Sequence, residues 1–265
     1  MTIGQAKIWN VGAAYEDYVG RWSRLVAADF LGWLGTPSGR RWLDVGCGTG
    51  ELSRSILERA APESLVGIDP SAGFVAHARA ALPDPRVEFR NGYAQALPFP
   101  DRDFDAVVSG LAVNFFSDMP KALAEMVRVA RPGATVAAYV WDYADGMQMM
   151  RRFWDAAIAL DGATADQDEG RRFAVCRPEP LAALFEGAGL ANVETRAIDC
   201  QTAFRDFDDF WNPFLAGQGP APAFCMSLSE CDRNVLREKV RAALPIRKDG
   251  SIHLMARAFA VRGVA

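Results

Sequence analysis

The sequence is poor in the residues that build metal centres and disulfide frameworks. It has two histidines, His77 and His253, and neither stands at ligand spacing, so neither a structural nor a catalytic zinc is expected. The five cysteines, Cys47, Cys176, Cys200, Cys225 and Cys231, are odd in number and scattered, with no Cys-x-x-Cys pair. That usage suits a reducing compartment and places the protein in the cytoplasm. Positive charge is also short. Lys and Arg total 29 against 33 Asp and Glu, a net charge of −4, so no overall field draws in nucleic acid or an anionic membrane. No basic N-terminal region precedes an apolar run, so no secretory signal is read. The longest apolar run, Ala134 to Trp141, is far too short to span a bilayer. What remains is ordinary for a globular protein. The 265 residues are 50% hydrophobic and 23% charged, enough for one large domain or one domain carrying a cap.

One stretch organises the rest: Arg41-Trp-Leu-Asp44-Val-Gly46-Cys47-Gly48-Thr-Gly50-Glu51. Trp42, Leu43 and Val45 predict a short buried strand that runs into glycines spaced two apart. Leu52, Ile56 and Leu57 then share one face of a helix that Ala60-Ala61-Pro62 closes. Strand, glycine turn and helix make the first crossover of an open parallel sheet, whose ligands sit outside the carboxyl ends of the strands. A dinucleotide fingerprint wants glycine at the first, third and sixth places; counting from Gly46, the sixth is Glu51. Asp44, just before the turn, would oppose a pyrophosphate and suits a ligand that is cationic there. S-adenosylmethionine, with its ammonium and sulfonium, is such a ligand. The alternatives are a tight turn with no ligand and a nicotinamide site.

The same alternation continues along the chain. Leu65 to Asp69 predicts a second strand, again ending in an acid, and Pro70-Ser71 opens a helix through Ala81. Asp69 lies 25 residues after Asp44, near the spacing of an acid that accepts from ribose hydroxyls; its other reading is a helix cap. Val87 to Arg90, Phe104 to Ser109 and Ala134 to Trp141 predict further strands, with a helix from Met119-Pro120 stopped by Arg131-Pro-Gly133. Strands and helices in this rhythm mean a doubly wound parallel sheet. Upstream, Val26, Phe30, Leu31 and Leu34 recur at helical spacing. Tyr15, Tyr18 and Arg21 before them either belong to an amphipathic helix packed on the sheet or fold over the cofactor, with Arg21 the right type to hold a carboxylate.

These residues carry a likeness. The chain resembles the class I S-adenosylmethionine-dependent methyltransferases, in particular the subgroup that includes the ubiquinone and menaquinone C-methyltransferases. The matching pieces are Leu43-Asp-Val-Gly-Cys-Gly-Thr-Gly50, Gly67-Ile-Asp-Pro-Ser71, Ala96-Leu-Pro-Phe-Pro-Asp-Arg-Asp-Phe-Asp105 and Glu125-Met-Val-Arg-Val-Ala-Arg-Pro-Gly133. The resemblance implies an α/β fold, a doubly wound, seven-stranded, mostly parallel Rossmann-like sheet with its last strand antiparallel and helical cap insertions. It implies that Gly46, Cys47 and Gly48 approach the methionyl part of the cofactor, with Asp44 near its amino group. Asp69 would hold the ribose with Pro70 beside the adenine, the backbone at Ala94 would read the adenine edge, and Ser109, Gly110 and Leu111 would wall the cleft below the sulfonium. Two departures stand out. Tyr93 occupies the place of a common Asp, which either moves adenine recognition to Gln95 or to stacking on Tyr93, or weakens cofactor binding. Asn114-Phe-Phe116 stands where many relatives carry histidine.

The expected organisation is a single domain: a helical lid over 1–35, a cofactor-binding core over 36–141, cap insertions over 142–175 and 204–249, and the remaining 176–203 and 250–265 completing the sheet. The caps are rich in Met147, Met149, Met150, Phe153 and Trp154, and in a stripe of Phe204, Phe207, Phe210, Trp211 and Phe214. Such stripes are usually core, but flanking a sheet mouth they also suit an apolar or aromatic acceptor. A Ser227-x-x-Glu230 capping box is expected to start a helix to Leu244, and Ile252 to Val261 alternates as the last strand. His253, Asp142 and Trp141 are the only candidates for acceptor chemistry, and no metal is expected. Enzymes that methylate nucleobase amines place Asn or Asp, two prolines and an aromatic after the fourth strand, where this chain has Ser109-Gly-Leu-Ala112. The expected function is transfer of a methyl group from S-adenosylmethionine to a small molecule, with no nucleic acid and no membrane insertion. A non-methylating S-adenosylmethionine-binding protein and a nicotinamide-linked oxidoreductase are the alternatives.

Overall fold

In the computed structural model, which describes residues 20–216 and 219–265, apolar strands alternate with helices that each bury one face. Seven strands, β1 (Arg41–Val45), β2 (Ser64–Asp69), β3 (Val87–Asn91), β4 (Phe104–Gly110), β5 (Ala130–Trp141), β6 (Ala191–Phe204) and β7 (Ile252–Val264), form one sheet in the order β3-β2-β1-β4-β5-β7-β6. The first five are parallel, and β7 lies antiparallel between β5 and β6. The expected seven-stranded sheet, mostly parallel with its last strand reversed, is therefore present. Strand order reverses between β1 and β4, where Asp44 stands beside Gly67 on one side and Val108 on the other. The crevice of a doubly wound sheet opens at this switch point.

The strands are central because both faces are apolar. Trp42, Leu43, Val107, Val136 and Val140 are buried, and helices cover them from either side. On one side α1 (Arg21–Leu34) sets Phe30 against Tyr139 of β5, with ring centroids 4.8 Å apart. It is joined by α2 (Glu51–Ala60) and α3 (Ala72–Ala81) along the first half of the sheet. Then α4 (Met119–Val129) begins at Asp118, whose carboxylate accepts the Lys121 N–H at 3.0 Å. Glycine is required where β2 meets β3, because a Cβ on Gly67 would lie 2.5 Å from the Phe89 ring.

The second half carries α5 (Gln148–Leu160), a short α6 (Glu169–Arg172), α7 (Pro178–Gly187), α8 (Phe207–Trp211), α9 (Pro220–Ser227) and α10 (Glu230–Ala243). The aromatic stripe is core: Phe214 stacks on Phe153 of α5 at 4.5 Å, with Phe210, Trp211 and Phe224 around them. Three sequence expectations shift. Arg131-Pro-Gly133 does not separate helix from strand, because the chain leaves α4 at Val129 and pairs with β4 from Ala130. The run of Met147, Met149, Met150, Phe153 and Trp154, whose spacing predicts a helix over Gly146 to Leu160, is helical only from Gln148. The capping box is not Ser227-x-x-Glu230: Ser227 closes α9 by donating to the Phe224 carbonyl, and Ser229 caps α10 by accepting the Asp232 N–H at 3.1 Å. Ser229 also donates to the Asp232 carboxylate at 2.7 Å, so Ser229→Ala should lower stability by about 1 kcal/mol, read as a shift in the urea midpoint, while Ser227→Ala should cost less. Among the described residues no helix is long and apolar enough to cross a membrane.

Candidate active site

The glycine turn is held first by backbone bonds. Gly46 and Cys47 both donate to the Ile68 carbonyl, at 2.7 and 3.1 Å, tying the turn to β2. Gly46 and Gly48 have φ of 76° and 53°, the left-handed region that glycine enters freely. A Cβ on Gly46 would lie 2.6 Å from that of Ala112, whereas one on Gly48 would project into open space. That open side is where a ligand can approach the backbone. Cys47 packs inward, and burial, with Asp44 and Asp69 adding to it, pushes its thiol well above the ordinary range, so it is no nucleophile.

Two carboxylates flank the turn. Asp44 is fully buried; its Oδ2 accepts the Ser53 hydroxyl at 2.7 Å and its Oδ1 has no protein partner. Burial pushes its pKa up to about 7 against the Ser53 bond, with the Asp69 charge adding to the rise. Asp69 accepts the Gly48 N–H at 3.0 Å and the Ser71 N–H at 2.8 Å, one on each oxygen, and burial raises it to about 6. The helix cap is Ser71, not Asp69, since the Ser71 hydroxyl accepts the Phe74 N–H at 3.3 Å. Asp69 instead links the turn to the next helix with lone pairs to spare. A buried carboxylate oxygen without a partner beside an open glycine turn fits a cationic ligand. S-adenosylmethionine supplies that cation together with a methyl group already activated by its sulfonium. Asp44 would hold its ammonium and Asp69 its ribose.

The cleft has two joined compartments that share Gly46, Asp69, Ala112 and Phe115. The narrow one is bounded by Ile68, Pro70, Ala94 and Phe116, with Tyr93, 61% exposed, at its rim. Gln95 lines it too and donates to the Ser117 hydroxyl at 3.1 Å. The wide one holds Asp44, Cys47, Gly48, Gly110 and Leu111, then opens onto Trp141, Tyr143, Met150 and Glu169. Leu111 has φ of 57°, a left-handed conformation that is costly for leucine and places a strained residue in the cleft wall. Glu51, the sixth residue of the motif, also faces this space and pairs with Arg24 and Arg54 at 3.3 and 3.1 Å.

Several expected residues stand elsewhere. Ser109 is buried and donates to the Val45 carbonyl at 2.7 Å, fastening β4 to β1 instead of lining the wall. Arg21 pairs with Asp209 at 3.2 Å and lies over the rings of Trp22 and Phe204, so its guanidinium already has a carboxylate. His253 is exposed on β7 opposite Ala203, outside both compartments. Asp142 is buried but receives the Asp145 N–H at 3.1 Å and lines neither compartment. Trp141 does line the cleft, and its indole nitrogen is buried without a partner. Tyr15 and Tyr18 lie outside the described residues. Sequence reasoning missed Glu169 and Tyr143 altogether. Among the described residues no group of His, Cys, Asp and Glu is arranged to hold a metal ion.

The methyltransferase-domain family matches residues 43–138, the segment that builds the turn and both carboxylate-bearing strands. A demethylmenaquinone methyltransferase of Deinococcus radiodurans is 39% identical over 189 residues, covering 69% of this chain and 76% of that protein. The chain belongs to the S-adenosylmethionine-dependent methyltransferases. Membership makes S-adenosylmethionine the cofactor and sets aside the nicotinamide alternative, in keeping with Glu51 and Asp44. A methyltransferase-like structure from Bacillus halodurans shares the fold at 16% identity, with a TM-score of 0.59 over 90% of this chain and 97% of that one. So does a phosphoethanolamine N-methyltransferase of Haemonchus contortus solved with S-adenosylhomocysteine, at 18% identity and a TM-score of 0.59, over 96% of this chain and 56% of that one. Both likenesses show the shared fold.

Proposed function

We propose that this methyltransferase acts on a small apolar or aromatic molecule held in the wide compartment, and that its catalysis is chiefly positional. The observation that carries this is the unpartnered Oδ1 of Asp44 at the open turn, in a compartment that continues into Trp141, Tyr143 and Met150. An activated methyl group needs in-line approach and little else. Holding donor and acceptor in register is worth up to roughly 7–11 kcal/mol of barrier. The Deinococcus relative's quinone acceptor supports an apolar ring here. The cytoplasm remains the proposed location, on cysteine usage alone.

Isotope-labelled methyl transfer to a metabolite extract, with the product identified by mass spectrometry, tests the reading. Tight cofactor binding with no labelled product from any acceptor would favour the non-methylating alternative. The ribose assignment has its own test. Asp69→Ala removes the acceptor for the ribose hydroxyls and two backbone donors' partner, so the dissociation constant for S-adenosylmethionine should rise more than about tenfold by calorimetry. An unchanged constant would refute it.

A further inference from the structure

The cap adds a further buried acid to the wide compartment. Glu169 is 1% exposed, lines the same compartment as Asp44 and Gly48, and sits on a one-turn helix far from both in sequence. Its Oε2 accepts the indole N–H of Trp154, and its Oε1 has no partner. The surroundings are otherwise committed. Asp168, its neighbour, is held by Arg151 through two bonds of 2.7 and 2.9 Å, and Arg151 also donates to the Tyr143 carbonyl at 3.0 Å. Arg172 on the same helix also acts on it, and Cys176 lies just beyond. The nearest cation of α5 is therefore spent on Asp168. A carboxylate left with one free oxygen in an aromatic chamber calls for a proton donor.

We propose that Glu169 is the general base of this enzyme, taking the proton from a hydroxyl on an aromatic acceptor. The inference rests on the reading above, that the wide compartment holds the acceptor. As the acceptor oxygen loses its proton to Oε1, its electron pair forms the bond to the methyl carbon, directly or through the conjugated ring carbon. The sulfur leaves with the electrons of the broken C–S bond, so one sulfonium and one hydroxyl yield one thioether, one methylated product and one proton. Trp141, whose indole N–H is unpartnered in the same compartment, offers the matching donor for a second oxygen on the ring. Burial pushes Glu169 up to about 7, with the Trp154 bond opposing, which matches a base working near neutrality on a neutral hydroxyl. A neutral arylamine attacks with its free lone pair and sheds its proton only afterwards, so it has no need of a base before methyl transfer. Hydroxyarenes are favoured over amines for that reason.

The test uses the full chain with naphthol, its methyl ether and naphthylamine as acceptors. Naphthol should be methylated and the other two should not. Glu169→Gln should lower kcat by roughly 100-fold or more and remove the acid limb of the kcat–pH profile centred near 7, with S-adenosylmethionine affinity by calorimetry unchanged. Equal turnover of naphthylamine, or a variant within about threefold of the parent, would overturn the proposal. A second readout needs no turnover. The Trp154 indole ¹H–¹⁵N resonance of the cofactor-free protein should titrate near pH 7, and the midpoint should move when naphthol is added; Glu169→Gln should abolish the titration. A static resonance would sink the assignment even if cofactor binding stands. Failure of the parent chain to bind S-adenosylmethionine would instead refute the cleft assignment on which it rests.

Discussion

Asp44→Asn should weaken S-adenosylmethionine binding by on the order of 100-fold while raising the melting temperature of the ligand-free protein at pH 8 by several degrees. The two effects have one cause. Asp44 keeps a buried charge supported by Ser53, with Oδ1 unpartnered among the described residues, and burial has already raised its pKa to about 7. An amide of the same shape can still accept from Ser53 but carries no charge, so the folded chain no longer bears the desolvation cost. With the ligand present the sign reverses, because the ammonium loses its counter-charge in a water-poor cleft. Truncating one member of such a pair typically costs 2–5 kcal/mol, roughly 30-fold to a few thousandfold in affinity. The stability gain of about 1–2 kcal/mol corresponds to roughly 2–8 °C in a chain somewhat larger than 250 residues. Calorimetric titration and thermal denaturation check the pair. A variant that loses both binding and stability would show that Asp44 props up the turn rather than waiting for a cation.

The first half of the chain announces its structure locally. Trp42-Leu-Asp-Val45 is too short and too apolar to be anything but a buried strand, and Gly46 and Gly48 both need the left-handed region that the turn imposes. Each helix that follows packs against strands next to it in sequence, so periodicity and caps suffice. The second half is not local. Arg21 is the right residue for a carboxylate, but that carboxylate is Asp209, 188 positions away, and no spacing rule connects them. Glu169 was invisible for a related reason. The segment Asp166-Gln-Asp-Glu-Gly-Arg-Arg172 has the composition of a solvated loop, and only the reach of Arg151 to Asp168 and of Trp154 to Glu169 folds it inward. Ser109 failed differently: its side chain turned to the Val45 carbonyl, and the wall it was expected to form is made by Gly110, Leu111 and the aromatic end of β5.

Acid should stabilise the empty enzyme, and S-adenosylmethionine should reverse that trend. Asp44, Asp69 and Glu169 have folded pKa values of about 7, 6 and 7, raised by burial above unfolded values near 4. Between about pH 4 and 7 the folded chain therefore binds protons that the unfolded chain has released, so stability falls as pH rises through this window. The limit is ~1.4 kcal/mol per pH unit for each fully linked group. Below about pH 4 the trend turns, because side-chain hydrogen bonds from Arg86, Arg90, Arg128 and Arg257 hold Asp84, Glu88, Glu125 and Asp199 below the usual carboxylate range, and their contribution is lost as they protonate. The ligand-free melting temperature should accordingly peak near pH 4 and decline until about pH 7. S-adenosylmethionine binds the ionised form of Asp44, so the shift it produces should grow from pH 6 to pH 8 and flatten the curve. Melting curves at four pH values, with and without the cofactor, are enough. Asp44→Asn and Glu169→Gln should each remove part of the ligand-free slope, yet only the first should shrink the cofactor's shift. That separation assigns one acid to the cofactor and leaves the other for the acceptor. Equal loss of the cofactor's shift in both variants would place Glu169 on the cofactor instead.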